Sequence, residues 1–262
     1  MKAFVSYFKI SFKSNTIYRA NFFFGILGTC INIFIYCAIW RALYGDNMSV
    51  NEIPYTMVTT NFILSLAMSS VFSNNDFAIQ QKLWDGSIST DMVRPIDLRV
   101  SILARDIGEI CFKLLTHFTI SVGIAVIFIG MLPPKNLICF ILYIVGMILG
   151  FCVLWAVSAI VQMSAFWIIN VWSVSTIKNV VVNILSGIMI PLWFLPDSIK
   201  NIISITPFQS IYYIPVNIYL GKITGNDVVY SYLKQIFWFL ILFLIGNVMW
   251  NAGKKRIFVQ GG

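Results

Sequence analysis

Long apolar runs separated by short polar clusters set the pattern of this chain, and six of them are candidates for membrane-spanning helices. They read from Ala20 to about Leu43, Tyr55 to Phe72, Ile110 to Leu132, Leu137 to Val161, Lys178 to Leu195 and Tyr232 to Trp250. A spanning helix needs about 20 residues to cross a hydrocarbon core of about 30 Å. The stops between runs carry turn chemistry: Tyr44-Gly45-Asp46-Asn47 ends the first, and the paired prolines of Pro133-Pro134-Lys135 close the third. From Gln162 to Thr176 the sequence turns richer in Ser, Asn and Trp, which predicts an interfacial turn with Trp167 and Trp172 at headgroup depth. Ahead of the first run, Lys2, Ser6, Lys9 and Lys13 share one arc of a helix while Phe4, Phe8 and Phe12 share the next. That predicts an amphipathic helix over residues 1–19 lying in the membrane interface. Its spread of basic residues and the long run behind it differ from a cleaved signal peptide.

Composition agrees with the pattern. Apolar residues make up 59% of the 262-residue chain and charged residues 11%, with a mean hydropathy of +0.85. A soluble domain carries about 25% charged residues, so this surface is built for lipid. The predicted fold class is an all-α integral membrane protein, with residues 1–262 as one transmembrane domain. The formal net charge of +8 comes from dispersed basic groups beside apolar runs, which argues for orientation in the membrane and against nucleic acid as a partner. With six spans, Lys2, Lys9, Lys13, Arg19, Lys82, Arg94, Arg99, Arg105, Lys113, Lys178, Lys254, Lys255 and Arg256 share one side. Arg41, Lys135, Lys200, Lys222 and Lys234 share the other. That asymmetry places both termini in the cytoplasm.

The chemistry of the runs excludes several functions. Their interiors are read as free of Asp and Glu, with Glu109 and Lys113 at the cytoplasmic mouth of the third, so ion-coupled transport lacks its carboxylate. His117, the one histidine, is read as a helix-packing group, since it has no second His or carboxylate to relay protons with. Cys30, Cys37, Cys111, Cys139 and Cys152 form no C-x-x-C pair and read as small buried hydrophobes. No nucleophile set or zinc motif occurs, and neither Gly221-Lys222 nor Gly253-Lys254 sits in a P-loop. Energy for active transport must therefore come from another polypeptide; a motor-free channel or facilitator is the alternative. Gly146 and Gly150 form a G-x-x-x-G pair, read as packing within the bundle in preference to a dimer seam.

Two segments stand out. In the polar connection 74–109, Gln80-Gln81-Lys82-Leu83-Trp84 reads as a short helix ending at Asp85-Gly86, followed by a turn to Arg94-Pro95, with Asp97 capping the helix that enters the third span. In the second, Ser186-Gly187 to Pro191 and Pro196, Pro207 and Pro215 break an apolar stretch. Broken helices at membrane depth need protein or a cavity to satisfy the freed backbone. A re-entrant helical hairpin on the outer side, within a region 196–231, fits that demand.

These segments, with the Gln260-Gly261-Gly262 end, resemble the permease subunits of type-2 ABC transporters, in the six-span branch that works with a separate ATPase. The resemblance covers nearly the whole chain. It implies a dimer, with a second copy or a sister permease, bound to two ABC ATPase subunits that hold ATP and Mg; this chain would need no cofactor or metal itself. It also implies that the loop after the second span carries the coupling helix, which points to Gln80, Lys82, Leu83, Trp84, Asp85 and Gly86, with Arg94 and Pro95 shaping the return. Export of a drug-like, peptide or lipid-like compound is the implied activity.

Overall fold

The computed structural model describes residues 2–17, 19–50, 52–72 and 75–257, and among them the chain is almost wholly helical. The helices are α1 (Lys2–Ile17), α2 (Arg19–Tyr44), α3 (Tyr55–Val71), α4 (Ala78–Trp84), α5 (Ser87–Val93), α6 (Leu98–Lys113), α7 (Thr119–Phe128), α8 (Leu137–Ser164), α9 (Trp172–Leu185), α10 (Asp197–Ile205), α11 (Tyr213–Tyr219) and α12 (Asn226–Ile257). A two-residue antiparallel ribbon, Ser49–Val50 with Ile53–Pro54, joins α2 to α3.

Among the described residues, four helical stretches are long and apolar enough to cross a membrane: Phe22–Tyr44, Leu98–Phe128, Leu137–Ser164 and Asn226–Arg256. The other two predicted spans take different forms. α3 has 17 residues, about 26 Å at the usual rise, and sits at the centre of the bundle with residues on all its faces buried. Thr59, Thr60, Asn61 and Ser65 are among them, which a lipid-facing helix could not carry cheaply. α9 begins at Trp172, ahead of the predicted Lys178, and stops at Leu185 rather than Leu195. At 14 residues it reaches about 21 Å, and the Pro-broken segment follows it.

The third span also differs from its prediction. Its helix starts at Leu98, behind the predicted Asp97 cap but well ahead of the predicted span start at Ile110, and runs through a π-helical turn at Leu114–Phe118 into α7. Arg105, Asp106, Glu109 and Lys113 are thus part of that long helix. The interior is not free of carboxylates, as the hydropathy pattern suggested. Asp106 is buried and accepts a 3.1 Å hydrogen bond from Trp155 Nε1. Hydropathy averaging hid this because α6 is amphipathic, and α1 lies along it. There Ser11 Oγ donates to the Arg105 carbonyl at 2.7 Å and Phe12 meets Phe112 edge-on.

α8 organises the other half. α11 and α12 both pack on it, and the main core joins Leu64 and Met68 of α3 to Met147, Leu154, Val182, Val216 and Leu242. Gly146 and Gly150 make the contact with the chain around α11: Gly146 faces Pro215, and an added Cβ at Gly150 would strike the Ile211 carbonyl. Gln235 of α12 locks the joint by donating to the carbonyls of Gly146 at 3.0 Å and Ser210 at 2.7 Å. This G-x-x-x-G pair is occupied within the bundle.

Candidate functional site

The connection between α3 and α6 forms a helical elbow, α4 then α5, at the end of the molecule that also holds the α8–α9 turn. α4 closes at Trp84, and Gly86 takes φ +71°, a left-handed conformation that glycine adopts without a Cβ penalty. The Asp85 carboxylate accepts from the Ser87 amide at 2.9 Å and so starts the next turn. Hydrogen bonds from the Ser87 side chain and amide hold that carboxyl below the usual range. The chain then forms the helix α5 from Ser87 to Val93, where the sequence pattern predicts a turn from Gly86 to Arg94. Ile88 explains the difference, since its burial with Ile79 and Leu98 gives this polar stretch one apolar anchor. Arg94 leaves α5 in an extended conformation, as the clash with a following proline requires, and Pro95 is exposed.

Asp97 caps α6 as predicted, accepting from the Arg99 amide at 2.9 Å. The Arg99 side chain hydrogen-bonds the same carboxylate and keeps it below the ordinary carboxylate range. Arg99 also bonds Asn247 and lies over the Trp250 ring at 5.3 Å, tying the start of α6 to α12.

The predicted site residues divide into two groups. Gln80 is turned inward, 4% exposed, and its Oε1 accepts from the Val171 amide at 2.6 Å. Leu83 packs against the core under the elbow, and Lys82 pairs with Asp91, which also meets Arg94 at 3.1 Å. Trp84, Asp85, Gly86, Arg94 and Pro95 face outward, and Trp84 is 64% exposed. A large aromatic side chain held open to water on a braced element is the kind of residue that anchors interfaces.

Sequence reasoning missed the groups that brace the elbow. Asp76 is buried and pairs with Lys178 of α9 at 2.7 Å, while Ser175 Oγ donates to the same oxygen at 2.5 Å. Lys178 reaches Ser158 of α8 at 3.1 Å as well. On the other flank Arg94 donates to the Tyr7 hydroxyl at 3.2 Å, joining α5 to α1. Val93, 86% exposed beside Arg94, was also missed. An acidic residue in a polar connection looks solvated until its partner, 102 positions along the chain, is known; spacing carries no trace of it. Among the described residues no cluster of three or more His, Cys, Asp or Glu could hold a metal.

His117 sits in the π-helical turn, buried, edge-on to Phe22 at 5.1 Å and close over Gly25. The Gln260-Gly261-Gly262 end lies outside the described residues.

A helical bundle with a buried polar centre, a braced elbow and an aromatic at its tip is a transporter-like arrangement, and comparison with known families decides it. Residues 26–261 match the ABC-2 family transporter protein. The chain belongs to this family. It is an ABC-2 type permease, a multi-pass membrane protein. No curated protein matches the chain.

Proposed function

We propose that this permease is the membrane half of an ATP-driven exporter for a hydrophobic or amphipathic compound, drug-like, peptide or lipid. A separate ABC ATPase docks on the α4–α5 elbow, and a second copy or a sister permease completes the transmembrane unit. Both termini are cytoplasmic. The contacts of the bundle favour six crossings. Gln80 of the elbow meets Val171 of the α8–α9 turn at one end, while Lys135 donates its amide to the Tyr219 carbonyl and Trp40 stacks on Phe194 at the other. That is the up-and-down order six spans require, with the basic residues weighted to the elbow end. The region from α10 to α11 then forms the re-entrant outer hairpin.

The observation that carries the proposal is the contrast within one elbow. Its root is fixed to α9 and the α8–α9 turn by buried polar contacts, an exposed bond from Arg94 reaches α1, and its tip offers Trp84 and Val93 to solvent. An ATPase pushing there would move several helices at once, because coupling travels through packed and hydrogen-bonded elements. The test is co-purification with the ATPase, using Trp84→Ala and Asp85→Lys. Losing an aromatic anchor from an interface costs about 2 kcal/mol, roughly 30-fold in affinity. Both variants are expected to insert and fold, to lose ATPase association and to lose cargo-stimulated hydrolysis. Undiminished association would contradict the docking site.

A further inference from the structure

A cavity of about 560 Å³ opens beside α2, walled by α6, the π-helical turn and the end of α3. Its volume is in the range of ligand sites, about 300 to 1,000 Å³. Two stripes that meet at Phe22 and Gly25 line it. From α2 come Phe22, Gly25, Thr29 and Asn32, each three or four residues from the last; from the other wall come Glu109, Lys113 and His117. Gly25 gives His117 room to lie against α2, and Gly28 leaves open space, since an added Cβ there meets nothing within 4 Å.

The chemistry of the wall is specific. Glu109 and Lys113 form an ion pair of 2.6 Å, yet 33% and 17% of their side chains stay exposed toward the opening. One wall therefore presents a carboxylate and an ammonium side by side. Phe22 and Phe112 supply an apolar flank directly next to them. Ionisable groups within a spanning helix are costly and mark functional paths. The π-helical turn is the second observation: such turns are rare and gather at functional sites, and this one sets His117 on the cavity wall one turn beyond Lys113.

We propose that this cavity binds the zwitterionic head of an amphiphile. The ligand's ammonium pairs with Glu109, its anionic group pairs with Lys113, and its apolar body lies against Phe22 and Phe112. A head bearing both charges exchanges the internal ion pair for two intermolecular ones, whereas a purely anionic head takes Lys113 and leaves Glu109 without a cation. The proposal deepens the exporter reading and rests on it for release on the far side once the ligand has bound. Two sources share the chemistry: a zwitterionic bilayer phospholipid, and a free single-chain zwitterion presented for export.

The experiment uses the full-length permease in nanodiscs of phosphatidylglycerol, without ATPase or ATP. The probe is fluorescent lysophosphatidylethanolamine. Gly28→Leu places a side chain into open cavity space, since an added Cβ at Gly28 meets nothing within 4 Å. It is expected to weaken binding roughly tenfold or more. Gly123→Leu adds the same side chain on α7, away from the cavity, also with nothing within 4 Å, and should bind as the wild type does. Glu109→Gln should shift preference toward a lysophosphatidylglycerol probe, and Lys113→Gln toward an alkylammonium probe. Competition by diacyl phosphatidylethanolamine assigns the site to a bilayer lipid; competition by a soluble single-chain zwitterion alone assigns it to exported cargo. Equal binding by Gly28→Leu, or no change of head preference in either charge variant, overturns the proposal. ATPase association is measured on the same variants, so a failure of the exporter reading shows there and leaves the binding result standing.

Discussion

The elbow α4–α5 and the segment from α10 to α11 both interrupt the simple up-and-down course of the helices, and they are held by different polar groups. The elbow is fixed by polar contacts at its root, Asp76 to Lys178 and Gln80 to Val171, and leaves its tip bare. The Pro-broken segment offers backbone carbonyls instead: Ser210 accepts from Gln235 of α12 at 2.7 Å and Ser204 from Lys234, beside close apolar approach. Ile203, Ile211, Val216 and Ile218 are buried, and the Ile211 carbonyl rests where Gly150 has no Cβ. On the proposed reading, the elbow end takes the push of the ATPase and the opposite end is the fixed part.

Breaking the elbow's root has the largest expected effect. Asp76→Ala leaves Lys178 charged, buried and without its carboxylate, and such a loss costs about 3 to 5 kcal/mol. The variant should show a markedly lower melting temperature in detergent, or fail to yield monodisperse protein. Asp76→Leu combined with Lys178→Met should recover most of the stability, because replacing a buried pair with apolar groups is often neutral. If the single variant melts with the wild type, the root is not a buried pair and the contrast with the outer segment collapses.

The outer segment is probed by Gly150→Val, which forces α8 away from the chain at Ser210 and Ile211. Overpacking of this kind costs about 1 to 3 kcal/mol. Thermal unfolding should detect it, while ATPase association, read at the far end of the molecule, should stay unchanged. Loss of association from Gly150→Val with normal stability would mean that the two regions are coupled in the resting state.

Much of the fold was legible. Runs of about 20 apolar residues predicted the α2, α8 and α12 spans, because hydropathy alone distinguishes lipid-facing helices. Gly86 and Asp97 announced the end of α4 and the start of α6 through local chemistry, which needs no tertiary partner. The rest depended on partners far along the chain. Asp97 predicts where α6 begins, but the span itself reads only from Ile110, because Arg105, Asp106 and Glu109 look solvated until Trp155 and α1 are seen to cover them. Gln80 comes to the docking surface, like the rest of the site, through the resemblance, and only Val171 shows that it turns inward. The outward group, Trp84, Asp85, Gly86, Arg94 and Pro95, was found by resemblance, and the sequence had no means of separating it from the braces behind it.

The central claim is that the ATPase meets this permease at the elbow tip. A photo-activatable amino acid placed at Trp84, another at Gln80 and a third at Met48, which is 91% exposed beside the ribbon at the other end, tests it in intact membranes. The account predicts a crosslink to a subunit bearing a Walker motif from position 84, and none from positions 80 and 48. Crosslinking to that subunit from position 48, or its absence from 84 while transport continues, would contradict it.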